Sequence, residues 1–484
     1  MESAPTTIDS PARGVSGRIE SVDILRGATI AAMLLVNNPG SWSYIYDPLE
    51  HAAWNGWTVT DLIFPFFLFL VGVSMMLSFP RRLARGASRG ELFGHVARRA
   101  TALMLLGWWG GSWSAVAWSG GQVEGSGMSA AGDVVLKLAW PALVLGAVVL
   151  LAGTRRRRIW AATLTAGGLG VALGWVASGG DHALFERLAG LRIPGVLVRI
   201  GVCYLLASAI WFATPSPRAI GAWAAGLLVA YSVFMVHVPV PGFGTPDLGR
   251  AFPTASTPAA ELFSNWAFWI DYHLLAEHTW SVRRLYDEAG TLIWSFDPEG
   301  IVSTIPAVAS VLFGVLAGQW LTGARPRRDT LVGLLVAGCW LVLLGWIWSG
   351  WMPINKRIWT SSYTIFTAGV ALLCLGAIHH LVDGDEVRPP MAAPAALLRG
   401  FSAYGRNAIL AFVGSGMMAV TLGRIRVADG AGGGTESLQR TLFDALQVLP
   451  GDERVASVAY ALGFVLVWAA ITWVLDRRRI YLKV

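Results

Sequence analysis

Long apolar runs separated by short basic ones limit this chain more than any single motif does. A helix needs about 20 mostly apolar residues to cross a bilayer, and about twelve stretches have that character: roughly 20–37, 59–79, 98–118, 133–152, 158–177, 194–213, 218–237, 301–322, 329–349, 360–381, 401–422 and 454–476. The expected fold class is all-α, a polytopic membrane protein with about twelve transmembrane helices. Composition agrees, because only 14% of the 484 residues are charged, where a soluble domain carries roughly 25%.

Charge placement gives a direction. With a cytoplasmic N-terminus, the inner loops are 80–99, 153–158, 214–217, 323–328 and 382–400. Every strong basic cluster then lies inside: Arg81 to Arg99, Arg155 to Arg158, Arg325 to Arg328, and Arg477 to Lys483 at the C-terminus. This is the positive-inside bias, with both termini cytoplasmic. It also accounts for the net charge of +7 without a nucleic-acid partner. Residues 1–18 are polar and lack an apolar core, as expected of a disordered cytoplasmic tail rather than a signal peptide. Residues 19–484 then form one transmembrane domain. Outside lie 38–58, 119–132, 178–193, 238–300, 350–359 and 423–453, and the aromatic-rich 238–300 reads as a cover over an outward-facing cavity.

Chemistry is sought among polar residues at the outer ends of spans. His51 lies in the crossing 38–58, and an imidazole takes up a proton near neutral pH; the bland reading is an interfacial histidine satisfied by backbone. Asp61 opens the second span in Thr58-Val59-Thr60-Asp61, a capping pattern, and a carboxylate there can both cap and orient a nearby imidazole. Asn37 ends the first span ahead of Asn38-Pro39-Gly40, so it is either a helix stop or an amide able to hold a carbonyl. Trp54, Asn55, Asp271, His278, Asp297, Glu299 and Lys356 also fall on the outer side, with Asp297-Pro298-Glu299-Gly300 equally readable as a turn and cap. Arg199 lies within a span and has to face protein or a wet cavity. Asp23, Arg26, Arg406 and Asn407 stand at the cytoplasmic ends of spans, where paired ions are most often structural. Cys203, Cys339 and Cys374 all lie in apolar runs, and no metal-ligand spacing, Walker loop or nucleophile elbow occurs.

Six blocks then match a known family: RIESVDILRGATIAAMLLVNNPG, LEHAAWNGWTVTDLIFPFFLFLVGVS, RIPGVLVRIGVCYLLAS, WSFDPEGIVSTIPAV, PINKRIWTSSYTIFTAG and GRNAILAFV. In order and together they resemble the heparan-α-glucosaminide N-acetyltransferases. The resemblance implies an enzyme that takes acetyl from cytoplasmic acetyl-CoA, with no metal, and delivers it to an amino sugar across the membrane. It makes His51 the active-site residue, as general base or acetyl carrier, with Asn37 polarising the thioester and Asp61 orienting His51. The seven outer residues from Trp54 to Lys356 are assigned to the sugar, and Arg26, Arg199, Arg406 and Asn407 to the anionic donor. A homodimer is implied by resemblance alone.

Lysosomal members carry a luminal N-terminal domain with no counterpart here, so a bacterial-type member of the inner membrane is expected, with its site facing outward. Between GVSMMLSF and RIPGVL three spans stand where the family has one, and the resemblance leaves that stretch uncovered. The competing readings are a membrane O-acyltransferase acting on a glycan hydroxyl and a secondary transporter. Transport calls for ionisable pairs near the midplane, whereas here the ionisable groups gather in loops and at helix ends.

Overall fold

The structure, a computed structural model, describes residues 19–117, 191–383, 392–428 and 434–481, with residue 142 and the short pieces 146–148 and 162–171 between them. Its helices are α1 (Glu20–Asn37), α2 (Ile63–Ala84), α3 (Arg89–Ala117), α4 (Ala162–Val171), α5 (Val196–Ala213), α6 (Pro217–His237) and α7 (Trp266–Leu275). They continue with α8 (Thr304–Leu321), α9 (Arg327–Trp348), α10 (Ser361–Val382), α11 (Ala392–Arg406), α12 (Ala408–Arg424), α13 (Leu438–Leu446) and α14 (Glu453–Arg477). Strands among the described residues form only two short antiparallel hairpins, β1 (Arg284–Tyr286) with β2 (Leu292–Ser295) and β3 (Arg426–Ala428) with β4 (Thr435–Ser437). The protein is an all-α polytopic membrane protein.

Among the described residues seven helices are long and apolar enough to cross a bilayer: Val59–Ala84, α5, α6, α8, α9, α10 and α14. The count of twelve differs for identifiable reasons. Helix α1 holds Glu20, Asp23 and Arg26 within 18 residues, and α3 is diluted by Gly, Ser and Trp in its second half. The stretch 133–152 lies largely, and 158–177 half, outside the described residues. The stretch 401–422 is not one helix: α11 and α12 meet at an 84° bend and make an eighth span only if taken together. The bend falls at Asn407, beside Arg406, whose guanidinium is bonded to Asp476 at 2.8 and 2.9 Å.

Two close helix crossings organise the bundle. Gly72 of α2 faces the Val311 carbonyl of α8, while Gly314 of α8 faces the Phe69 carbonyl of α2; a Cβ at either would overlap the partner backbone. Gly27 of α1 and Gly405 of α11 face Phe401 and Asp23 in the same reciprocal way. Small residues let backbones approach where lipid removes much of the hydrophobic drive for helices to associate.

The segment 238–300 is a folded layer. Asn265 caps α7 by accepting from the Ala267 and Phe268 N–H groups at 3.1 and 3.2 Å. The β1–β2 hairpin places Trp294 and Phe296 against Phe268 and Phe252. Trp54, Met352 and Ile358 complete this aromatic core. The crossing 38–58, the segment 350–359 and the layer are thereby packed together at one end of the bundle.

Candidate active site

The short sequence from His51 to Asp61 folds back on itself. Thr58 and Asp61 form a capping box at the start of the second span: the Asp61 Oδ2 accepts from Thr58 N at 3.0 Å, and also from Ala52 N at 3.1 Å and the Thr58 hydroxyl at 3.2 Å. Those bonds fix one carboxylate oxygen, leaving Oδ1 for His51, whose Nδ1 lies 2.7 Å away. Capping and orienting are thus done by one residue. The Tyr363 hydroxyl donates to the Asp61 carbonyl at 2.5 Å, tying the pair to α10.

A cation completes the cluster. Lys356 Nζ lies 3.0 Å from His51 Nδ1, 3.1 Å from Nε2 and 3.6 Å from Asp61 Oδ1. Near-equal distances to both ring nitrogens place the ammonium over the ring edge rather than on either lone-pair axis. Burial lowers the pKa of His51; Asp61 opposes this and Lys356 adds to it. Burial also brings Lys356 down to about 8, against the attraction of Asp61. Lys356 is carried by a seam between distant segments: Asn355 donates to the Asn55 side chain at 2.9 Å, and Gly56 N donates to the Ile354 carbonyl at 2.7 Å.

His51 and Lys356 line a cavity of about 170 Å³. Asn37, Thr60 and Glu299 supply its other polar groups, and Met33, Val36, Ile63, Phe64, Phe67, Val196 and Phe412 its apolar wall. Asn38 donates to the Leu34 carbonyl at 2.8 Å and so takes over the helix stop, while Asn37 lines the cavity. Burial pushes Glu299 up, but Arg192, Arg199 and Lys356 outweigh it and hold its carboxyl below the usual range. Arg192 bridges Glu299 at 2.5 Å and Asp297 at 2.5 and 2.6 Å. Nothing in the local sequence singled out Arg192; the available signal was an unmatched arginine just ahead of an apolar run, with two acids in DPEG needing a cation.

The remaining expected residues divide into three groups. Trp54 is buried, with its indole N–H on the Leu248 carbonyl at 2.8 Å. Asp271 accepts from Asp297 N and Ile301 N at 3.1 and 3.2 Å, and burial raises it to about 7. His278 Nδ1 meets the Leu191 carbonyl at 2.9 Å. These three build the layer and the turn before α8, and none of them lines the cavity. Arg199 also belongs to this end, donating to the Gly300 carbonyl at 3.1 Å and to the Ser303 hydroxyl, and standing over the Trp359 ring.

Arg26, Arg406 and Asn407 lie together at the opposite part of α1. Arg26 pairs with Asp23 at 3.0 Å, Ser74 at 2.7 Å and the Gly405 carbonyl at 3.4 Å. Eleven residues of α1 separate Arg26 from Asn37, roughly 16 Å of helix axis. Among the described residues no group of three or more His, Cys, Asp or Glu is arranged to hold a metal ion.

Fold and site together define a polytopic membrane protein with an imidazole–carboxylate–amine cluster at the mouth of an apolar-walled cavity. The family model described as "Heparan-alpha-glucosaminide N-acetyltransferase, catalytic" matches residues 18–177, a range that runs on through the stretch where no resemblance was expected. The human heparan-alpha-glucosaminide N-acetyltransferase is 26% identical over 435 residues, covering 82% of this chain and 52% of the relative. The mouse protein of the same name is 26% identical over 446 residues, covering 83% and 54%. Over the matched residues the chain is similar to these N-acetyltransferases, and it spans about half the length of the curated relatives it matches.

Proposed function

We propose that the protein is a transmembrane acetyltransferase that moves acetyl from acetyl-CoA to the amine of a terminal glucosamine-type sugar. The observation that carries this reading is the His51–Asp61 pair, 2.7 Å apart, opening on the 170 Å³ cavity. An amine must lose a proton as it attacks a thioester. With Nδ1–H donated to Asp61, the Nε2 lone pair of His51 is the base, a role worth typically 10²–10⁴-fold. The amine nitrogen bonds to the thioester carbon, the carbon–sulfur bond breaks, and the proton held by His51 passes to the departing thiolate. Asp61 stabilises the transient imidazolium. The Asn37 amide and the Lys356 ammonium are the donors available to the oxygen that gains charge.

The donor is large and anionic, so only its arm needs to enter. The apolar wall from Phe412 and Met33 toward Asn37 suits a pantetheine chain, with Arg26, Arg406 and Asn407 placed to receive the nucleotide about 16 Å away. The acceptor then reaches His51 from the side of the layer 238–300. In this reading both termini are cytoplasmic, about twelve spans cross the inner membrane, and the site faces outward; reporter fusions at the C-terminus and at residue 245 giving signals on the same side would overturn that topology.

Transfer of labelled acetyl to glucosamine by purified protein in detergent tests the chemistry, with wild type compared to His51→Ala at matched unfolding temperature. The expected result is transfer by wild type and a loss of 10²–10⁴-fold in the variant. Wild type that binds acetyl-CoA but acetylates no amino sugar would overturn the acceptor. A fully active His51→Ala would overturn the assignment of the base.

A further inference from the structure

A second concentration of charge lies at the far end of α2, about 30 Å of helix axis from Asp61. Residues 80–99 hold six arginines and a single acid. That acid is already used: Glu91 closes the cap of α3, its Oε2 accepting from Ser88 N at 2.9 Å and from the Ser88 hydroxyl at 3.0 Å. Arg82 and Arg98 are exposed, and among the described residues they enter no ion pair and no side-chain hydrogen bond. The turn at Gly86, with a φ of +90°, brings the start of α3 back against the end of α2. Arginines from the two helices thereby meet around one imidazole. Burial, then repulsion from Arg82, Arg99 and Arg98, pushes His95 down to about 4.

Beneath these cations the surface is aromatic. Arg99 Cζ stands 5.7 Å from the Tyr204 centroid. Phe79 packs on Trp211 and Phe212 at 5.5 and 5.8 Å, and Phe93, 39% exposed, meets Phe212 edge to face at 5.8 Å. The span Val59–Ala84 ends here, as does α5 at Ala213, so the corner stands where hydrocarbon gives way to headgroups. Forked donors above an exposed aromatic floor at that depth match a lipid, with its phosphate on the guanidinium groups and its chain on the rings. Arginines that serve only to orient a chain in the membrane have no need to converge from two helices or to stand over such a floor.

We propose that Arg82, Arg98 and Arg99 hold the phosphate headgroup of an anionic phospholipid, with Phe93 and Phe212 against the first part of its acyl chain. This lipid site goes beyond the transferase reading and does not depend on it. The phosphates of CoA carry the same chemistry in soluble form, and the experiment separates the two sources.

Wild type, Arg82→Gln, Arg98→Gln, the double variant and Arg477→Gln would be purified in a non-ionic detergent and matched by unfolding temperature. Arg477 is the control, a guanidinium 4.0 Å from the Trp473 centroid at the end of α14. Native mass spectrometry would compare bound phosphatidylglycerol with phosphatidylcholine of the same chains, and calorimetry would measure CoA and inorganic phosphate. The site predicts that wild type retains phosphatidylglycerol in preference to phosphatidylcholine. Each Gln substitution at Arg82 or Arg98 weakens that binding about fivefold and the double variant about 25-fold, while Arg477→Gln leaves it in place and CoA binding is the same throughout. Equal retention of the two lipids by wild type overturns the proposal, as does full retention by the double variant. An equal loss with Arg477→Gln marks diffuse attraction to the membrane and overturns the site as well. A loss confined to CoA or inorganic phosphate assigns the arginines to a soluble phosphate and overturns the lipid. If the double variant does not fold, the two single variants carry the test.

Discussion

Replacing Lys356 by Met should move the acid limb of the pH profile upward. The Nζ stands 3.0 and 3.1 Å from the two ring nitrogens of His51. A unit charge at about 3 Å costs an imidazolium about 1.4 kcal/mol in water-like surroundings and about 5.5 kcal/mol at an effective dielectric of about 20. The ring is 32% exposed, so the low end applies, and about 1.4 kcal/mol is one pKa unit.

The sign is fixed by which form does the work. His51 must be neutral to accept a proton, and Lys356, lowered only to about 8, is still charged where His51 titrates. Removing that charge lets the imidazole protonate at higher pH. The acid limb of kcat/KM therefore rises by about one unit, and rate at a pH below both limbs falls about tenfold relative to the plateau. The assay is labelled acetyl transfer to one acceptor from pH 5 to 9, so that the acceptor's own titration is common to both enzymes. An acid limb that stays in place or moves down would refute the placement of Lys356 against His51, or the role of His51 as base.

Other outcomes follow from the geometry. Arg192→Met leaves Asp297 and Glu299 buried without their cation and should cost about 3 kcal/mol, read as lowered unfolding temperature and poor recovery in detergent. Unchanged stability would show that the pair does not depend on this arginine. Gly405→Ala drives a methyl into the Asp23 carbonyl at the α1–α11 crossing, and Gly314→Ala does the same to Phe69 of α2. Each should cost about 1–3 kcal/mol, whereas Gly416→Ala, which meets open space, should be close to neutral. Neutral behaviour at Gly405 or Gly314 would mean the helices separate without penalty.

The legible parts of the site are those whose partners are close in sequence. His51 and Asp61 are ten residues apart in one crossing, and the capping signature Thr58-Val59-Thr60-Asp61 fixed where the carboxylate would sit. Arg192 was invisible because its partners are 105 and 107 residues away and no spacing rule links an arginine before one helix to acids before another. Asp271 and His278 stood out as candidate ligands because they are polar residues in an aromatic loop; in the structure they bond backbone N–H and carbonyl groups. The apolar pattern located most membrane helices, yet the run 401–422 hid the turn at Asn407. A window of hydropathy averages over two polar residues, while the backbone responds to each one.

The seam joining Asn55 to Asn355 has a consequence for biogenesis. His51 and Asp61 emerge from the ribosome early and lie inside the stretch 18–177 that the family model covers. Glu299, Lys356 and the wall residue Phe412 follow hundreds of residues later. A nascent chain that has inserted only its first helices holds His51 and Asp61 but neither Lys356 nor the closed wall. The cluster and its cavity are therefore complete only when nearly all of the chain has been synthesised and its distant segments have met.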